Sequence, residues 1–371
     1  MKANVNKEDA MPAGNFIDAD AHMHESEETW KFFETSDEYP SKPARILFDQ
    51  NKTSLWVVNG RILPKPVAKG TVAGRDERDP RVKAGQRAPF APGAIEMTDI
   101  ETRVRDMDEL GVKAQVIYPT FFIHWITDEV NLEKALCKSY NRFMAEATSK
   151  APDRLRWAAV LPLRSIPDAI SEMRYAKDGG AVSVFMRGIE GDRTLDDPYF
   201  FPIYEEAMKL DMAIGVHTGS GCPAFTSLFD SARNSKFGQI RVLPVFAFRD
   251  IVGNEIPERF PSLRFGFLEA GSQWVPYVLY EINIWRIAMG KEPLKAPDVF
   301  KAWRLYVACD VSEDLPWVIK YAGEENIVLG TDYGHKGIGT NPASGLRDRG
   351  DLPREIIEKI ELHNPKRLYA L

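Results

Sequence analysis

The 371-residue sequence predicts an α/β fold of the (β/α)8, or TIM-barrel, class, with a long insertion after the first strand. Three observations point there. Eight short runs are almost continuously apolar, as strands of a parallel sheet covered on both faces are. Helical periodicity fills most of the intervals between them. No Gly-X-Gly-X-X-Gly follows the first run, and no Gly-Lys-Ser or Gly-Lys-Thr phosphate loop occurs, so an open nucleotide-binding sheet loses its main support.

The first run, Phe16-Ile17-Asp18-Ala19-Asp20-Ala21-His22, continues into Met23-His24-Glu25. Alternate residues of a strand share a face, so Asp18, Asp20, His22 and His24 point one way and Met23 and Glu25 the other. Two imidazoles two positions apart at a strand end can reach one metal ion. Residues 1–15 are polar, lack the apolar centre of a secretory leader and read as a loose arm. Residues 16–371 then form one barrel domain.

From about residue 28 to 95 the rhythm breaks, with prolines at 40, 43, 64, 66, 80, 89 and 92. This stretch reads as an insertion or lid over the barrel mouth. Within it, Leu55 to Leu63 reads as a hairpin turning at Asn59-Gly60. Between Arg61 and Arg87 eight Lys or Arg stand against three acids, a solvated loop or a lid that steers an anionic substrate. Trp30, Phe32, Phe33, Tyr39, Phe48 and Trp56 supply an aromatic core beneath the lid, or part of an apolar pocket.

A regular beat starts at Asp99, which caps a helix that ends at Gly111. The second strand is Ala114 to Pro119, followed by a helix over 129–149. The third strand, Leu155 to Leu161, leads to a helix from Pro167 to Lys177. The fourth, Val182 to Arg187, leads to a helix over 202–210. The fifth is Ala213 to His217, with a helix at 237–253 after it. The sixth, Leu263 to Glu269, precedes a helix over 274–289. The seventh is Leu305 to Asp310, with a short helix over 315–321. The eighth, Ile327 to Asp332, precedes a last helix over 354–362.

In such a barrel the active site gathers side chains from the C-terminal ends of several strands. The first strand ends in His22 and His24, the fifth in His217, the sixth in Glu269, and the eighth in Asp332 with His335 three residues on. Four of the six histidines therefore fall at one mouth, while His124 and His363 read as structural. His335 is an acid or base, a ligand of a second metal, or a hydrogen-bond partner. Arg187, at the end of the fourth strand, can pair with a substrate carboxylate or with a neighbouring acid.

The motifs Asp20-Ala-His-Met-His24, Gly215-Val-His-Thr-Gly219, Gly330-Thr-Asp-Tyr-Gly-His335 and Asn364-Pro-Lys-Arg-Leu-Tyr369 together resemble the amidohydrolase superfamily. The branch is the one with the aminocarboxymuconate-semialdehyde decarboxylase-like enzymes. The resemblance implies that His22, His24, His217 and Asp332 bind a divalent metal, zinc first, with one or two iron ions as the alternative. It implies that Asp332 also moves a proton. Where such relatives carry a histidine after the sixth strand this chain has Glu269, a proton carrier or a further metal ligand. Some members use a glutamate at the position of Glu25; strand alternation favours His24. The expected function is a metal-dependent hydrolase or non-oxidative decarboxylase, acting on a small, carboxylate-bearing substrate, aromatic acids among the candidates, through metal-activated water or a metal-chelated substrate oxygen. The alternative is a non-heme di-iron monooxygenase on the same barrel.

A net charge of −6 gives no support for nucleic-acid binding, and no run reaches the ~18 apolar residues of a membrane span. Cys137, Cys222 and Cys309 show no pairing pattern, which fits a reducing, cytoplasmic setting. A homodimer is the default assembly.

Overall fold

The computed structural model describes residues 15–48, 53–63, 90–229, 241–335 and 342–371. Strand β1 is Phe16–His22. The insertion contributes β2 (Ala44–Phe48), β3 (Thr53–Val58) and β4 (Arg61–Leu63). Then come β5 (Val112–Tyr118), β6 (Leu155–Val160), β7 (Ala181–Arg187), a two-residue ribbon β8 (Ile189–Glu190) and β9 (Arg193–Thr194), β10 (Ala213–His217), β11 (Phe265–Leu268), β12 (Leu305–Cys309) and β13 (Ile327–Leu329).

Eight of these strands form one sheet in the order β1-β5-β6-β7-β10-β11-β12-β13, every pair parallel. Helices between successive strands cover its outside, among them Ile100–Leu110, Val130–Thr148, Ile166–Asp178, Phe201–Lys209, Leu243–Gly253, Val275–Ala288 and Leu315–Ala322. Every residue of β1, β7 and β10 is buried; β7 and β10 are accordingly near-continuous apolar runs, while β1 buries Asp18, Asp20 and His22 on one face. The sheet edges meet at a seam. The Asp332 N–H donates to the Asp20 carbonyl at 2.9 Å, and the His22 N–H donates to the Tyr333 carbonyl at 2.8 Å. A Cβ on Gly330 would stand 2.5 Å from the Asp20 Cβ, so the seam closes only on a glycine.

Local signals are met where backbone chemistry is explicit. The Asp99 carboxylate accepts from the Thr102 N–H at 3.0 Å and starts the helix; Gly111 ends it at φ 70°. Strands β3 and β4 turn at Asn59-Gly60, both at positive φ, the geometry a tight hairpin requires. Trp56 of β3 packs edge-on against Trp30, and both meet Phe121 after β5, so the aromatic residues of the insertion are core there. The arm expected over residues 1–15 lies, up to residue 14, outside the described residues, as does the basic stretch from residue 64 to 87.

Two helices differ from the sequence reading. The one expected over 237–253 is described as Leu243–Gly253, its start lying outside the described residues. The last does not stop at Leu362. It passes from Arg354–Glu358 through a π-helical turn at Lys359–His363 into Asn364–Tyr369. Pro365 follows directly on the π-helical turn. No helix among the described residues is long and apolar enough to cross a membrane.

Candidate metal centre

The C-terminal ends of β1 and β10, and the residues just after β11 and β13, bring side chains to one point at the barrel mouth. His22 Nε2 lies 3.5 Å from Asp20 Oδ1, 3.8 Å from Glu269 Oε2 and 3.9 Å from Asp332 Oδ1. His217 Nε2 lies 3.3 Å from Asp20 Oδ1 and 3.5 Å from Glu269 Oε2. Donor atoms each about 2.1 Å from a single ion stand roughly 3–3.5 Å from their neighbours, so the spacing fits one shared cation, slightly expanded.

The tautomers fit as well. His22 Nδ1 faces the Pro119 carbonyl at 3.1 Å and His217 Nδ1 faces the Thr218 carbonyl at 2.8 Å. A carbonyl can only accept, so each Nδ1 carries the proton and each Nε2 turns a lone pair inward. Asp20 Oδ1, His22 Nε2, His217 Nε2 and Glu269 Oε2 are buried and have no hydrogen-bond partner. Buried polar atoms are otherwise almost always bonded, so four orphans aimed at one another mark a place for a cation.

The charge balance says the same. Asp20, Glu269 and Asp332 bring three carboxylates into a space almost closed to water. Burial, and then the nearby Asp332, push the Glu269 carboxyl above its ordinary range. Burial alone would depress the His217 imidazole, but Asp20 and Glu269 hold it up at about 9. Burial and the neighbouring imidazoles of His335 and His217 hold His22 well below its usual value. Without a metal, the cluster needs protons to balance its carboxylates.

Both Glu269 and Asp332 sit in the left-handed region, at φ 53° and 55°. That conformation costs an ordinary residue about 1–2 kcal/mol and persists where something else requires it. Here it turns each carboxylate inward from the end of its strand.

A buried chain of hydrogen bonds braces the seam beneath these donors. Arg103 donates to the His22 carbonyl at 3.1 Å and to Gln115 Oε1 at 2.9 Å; Gln115 Nε2 donates to Asp18 Oδ2 at 3.2 Å. Asp18 Oδ1 accepts from the Thr331 N–H at 2.8 Å and from the Asp20 N–H at 3.3 Å. Burial lifts the Asp18 carboxyl to about 6 against the pull of those bonds. The Arg103 guanidinium also lies 4.3 Å from the centre of the Tyr333 ring. The chain therefore grips the backbone beside Asp20, His22 and Asp332 together.

His335 stands at the open side. Its Nδ1 is 2.9 Å from Asp332 Oδ1, its Nε2 is 2.9 Å from Thr120 Oγ1, and its ring stacks on His22 at 3.9 Å. Of the residues singled out from sequence, His22, His217, Glu269, Asp332 and His335 are brought together. The His24 ring lies 5.6 Å from that of His335 and contributes no atom to the close donor groups, which Asp20 joins instead. Glu25 is turned to the Phe121 N–H at 2.7 Å, and burial raises its carboxyl to about 7. Arg187 is held by Glu190 through Nε and Nη2, and by the His124 carbonyl, 2.8 Å from Nη1.

A model of the amidohydrolase family matches residues 17–371. This chain is a member of the amidohydrolase family. Among curated relatives of this amidohydrolase, 2-amino-3-carboxymuconate-6-semialdehyde decarboxylase of Dictyostelium discoideum is 23% identical over 265 residues, 63% of this chain and 66% of the relative. Gamma-resorcylate decarboxylase of a Polaromonas species is 26% identical over 211 residues, 53% of this chain and 63% of the relative. In both, the match spans less than two thirds of the relative's own length. The crystal structure of 5-carboxyvanillate decarboxylase from Novosphingobium aromaticivorans, complexed with manganese and 4-hydroxy-3-methoxy-5-nitrobenzoic acid, superposes with a TM-score of 0.64 at 15% identity, covering 96% of each chain. The family and the donor set agree on a divalent metal site.

Proposed function

We propose that this amidohydrolase is a non-oxidative decarboxylase of a small aromatic carboxylate. The observation that carries the reading is the convergence of orphaned Asp20, His22, His217 and Glu269 atoms, with Asp332 beside them, at the barrel mouth. The three named relatives are decarboxylases, two of them of aromatic acids, and none supports the di-iron monooxygenase weighed from sequence.

Asp20, His22, His217, Glu269 and Asp332 would hold the ion. Three carboxylate oxygens with two imidazoles form a harder set than tetrahedral zinc sites use, and suit manganese better than the zinc expected from sequence. When bound, the ion supplies a Lewis acid for substrate oxygens. In this reading Asp20 takes the place assigned to His24, and Glu25 serves the loop after β5. Arg187, engaged by Glu190 and a carbonyl, shapes the mouth and does not bind substrate.

His335 holds a proton between Thr120 and Asp332. Asp332 passes it to the ring carbon that bears the carboxylate. The bond from that carbon to the carboxyl carbon then breaks, its electron pair returns to the ring, and carbon dioxide leaves. The proton gained by carbon replaces the carboxylate lost, so the step needs no oxidant. Burial of the donors keeps water from competing for the proton.

We also take the protein to be cytoplasmic and homodimeric. Cys137 and Cys309 are buried free thiols, and Cys222 is free, in keeping with a reducing compartment. Decarboxylation is tested by incubating manganese-loaded protein with a panel of ortho-hydroxybenzoates and measuring carbon dioxide release. Release without oxygen uptake is expected. Amide or ester hydrolysis with no decarboxylation across the panel would overturn the reading.

A further inference from the structure

The helix Val275–Ala288 breaks the pattern of the other barrel helices. Val130–Thr148 shows the ordinary arrangement: Leu132, Leu136, Tyr140 and Phe143 face the barrel, while Lys134, Lys138 and Glu146 face water. On Val275–Ala288 the inner stripe is Val275, Val278, Leu279 and Ile282, and all four are buried. Its outer side is apolar too. Tyr277, Tyr280, Ile284, Trp285 and Ile287, with Met289 just beyond, are each 44–71% exposed. The spacing 277, 280, 284, 287 is one helical face. A helix that is apolar all round belongs in an interior.

Of its polar residues, Glu281 is partly buried within the outer face, between Tyr277 and Trp285, and the other two are engaged elsewhere. Asn283 bonds the backbone of Leu294 in both directions, at 3.0 and 2.7 Å. Arg286 is turned to Glu255 and to the Glu292 carbonyl. The neighbouring helix Leu315–Ala322 adds Trp317, 42% exposed. With Trp317 the patch leaves on the order of 800 Å² of side chain open, beyond the largest apolar patch of an ordinary monomer and about one partner's share of a standard interface.

We propose that this face is the two-fold interface between two copies of the chain, resting on the homodimer reading above and giving it a location. A second copy supplies the same patch, so the area needed and the area offered agree. Aromatic residues and methionine are the residues enriched at such interfaces. No lysine lies between residues 274 and 290, whereas a helix lying in a membrane surface relies on a basic flank. An antiparallel meeting of two stripes running from Tyr277 to Met289 has its midpoint at residue 283. That places the outward Ile284 of one copy beside Ile284 of the other.

The test is sedimentation equilibrium of the full chain at micromolar concentration. It compares the wild type with the double substitution Tyr280→Glu and Trp285→Glu, whose fold is checked by circular dichroism. Ile284→Cys is crosslinked under mild oxidation in parallel. A wild-type dimer, a folded monomeric double variant and a covalent Ile284→Cys dimer are expected. A monomeric wild type would remove the homodimer reading itself. A wild-type dimer that the double variant preserves, with no crosslink at Ile284→Cys, would remove this face and leave the homodimer standing. Should the double variant fail to fold, the Ile284→Cys crosslink decides alone. Flotation of monomeric wild type with phosphatidylcholine–phosphatidylserine vesicles would also overturn the proposal, by showing a membrane as the occupant.

Discussion

Two charged clusters sit at the same barrel mouth and differ in one respect. At the ends of β1, β10, β11 and β13, Asp20, His22, His217 and Glu269 each keep a buried atom without a partner. At the end of β7, Arg187 and Glu190 are as deeply placed, yet the guanidinium has both carboxylate oxygens and a backbone carbonyl. One cluster is complete without a ligand and the other is not. The lesson is that charge at a strand end does not mark function. Buried atoms left without a partner do, as at Glu269, whose backbone is also strained.

Substitutions should separate the two clusters. His217→Ala should abolish stoichiometric metal and lower activity by more than roughly a hundredfold, read by elemental analysis and carbon dioxide release. Arg187→Met should do the reverse. It strands the buried Glu190 carboxylate and costs about 3–5 kcal/mol of stability by denaturant unfolding, while metal stays bound. Metal loss on Arg187→Met with unchanged stability would merge the two clusters into one site.

A smaller effect is expected from the chain beneath the donors. Gln115→Ala uncouples Arg103 from Asp18 and should weaken metal binding by about 10–100-fold while a metal-free sample still folds. A competitive chelator titration measures the loss. Unchanged affinity would show that the seam is held by its backbone bonds alone.

The smallest expected effect is in the pH dependence of the metal-free protein. Asp18, lifted to about 6, and Glu25, lifted to about 7, bind protons more tightly folded than unfolded. His217, held at about 9, does the same. Each contributes stability that is complete below its unfolded value and lost as pH rises through the folded one. Metal-free melting temperature should therefore fall from about pH 4 towards pH 9. The gain on adding metal should widen over the same range, because the cation takes the place of those protons. A metal-free melting temperature that rises with pH would contradict the protonation pattern.

Much of this was legible in the sequence. Eight apolar runs were enough for the barrel, because strands covered on both faces carry mostly apolar side chains on each. The caps at Asp99 and Gly111 and the turn at Asn59-Gly60 are local backbone chemistry, which a sequence states directly. His217, Glu269 and Asp332 were expected together from their places at strand ends, and the structure brings them close to His22. On the proposed reading Asp20 takes the ligand position, on the face that alternation gave it, whereas the His-X-His spacing pointed to His24. Alternation fails there because the chain leaves the ladder. The His24 N–H bonds the Ile95 carbonyl in the insertion, and β1 ends at His22. Nor did sequence show which acid would claim Arg187. Glu190 reaches it only because the chain turns straight from β7 into the ribbon β8 and β9, placing a carboxylate three residues on beneath the guanidinium.

The choice between Asp20 and His24 carries the whole site, and elemental analysis after manganese loading and desalting tests it most directly. One ion per chain is expected in the wild type and in His24→Ala, and almost none in Asp20→Ala. Full occupancy in Asp20→Ala together with loss in His24→Ala would contradict the account.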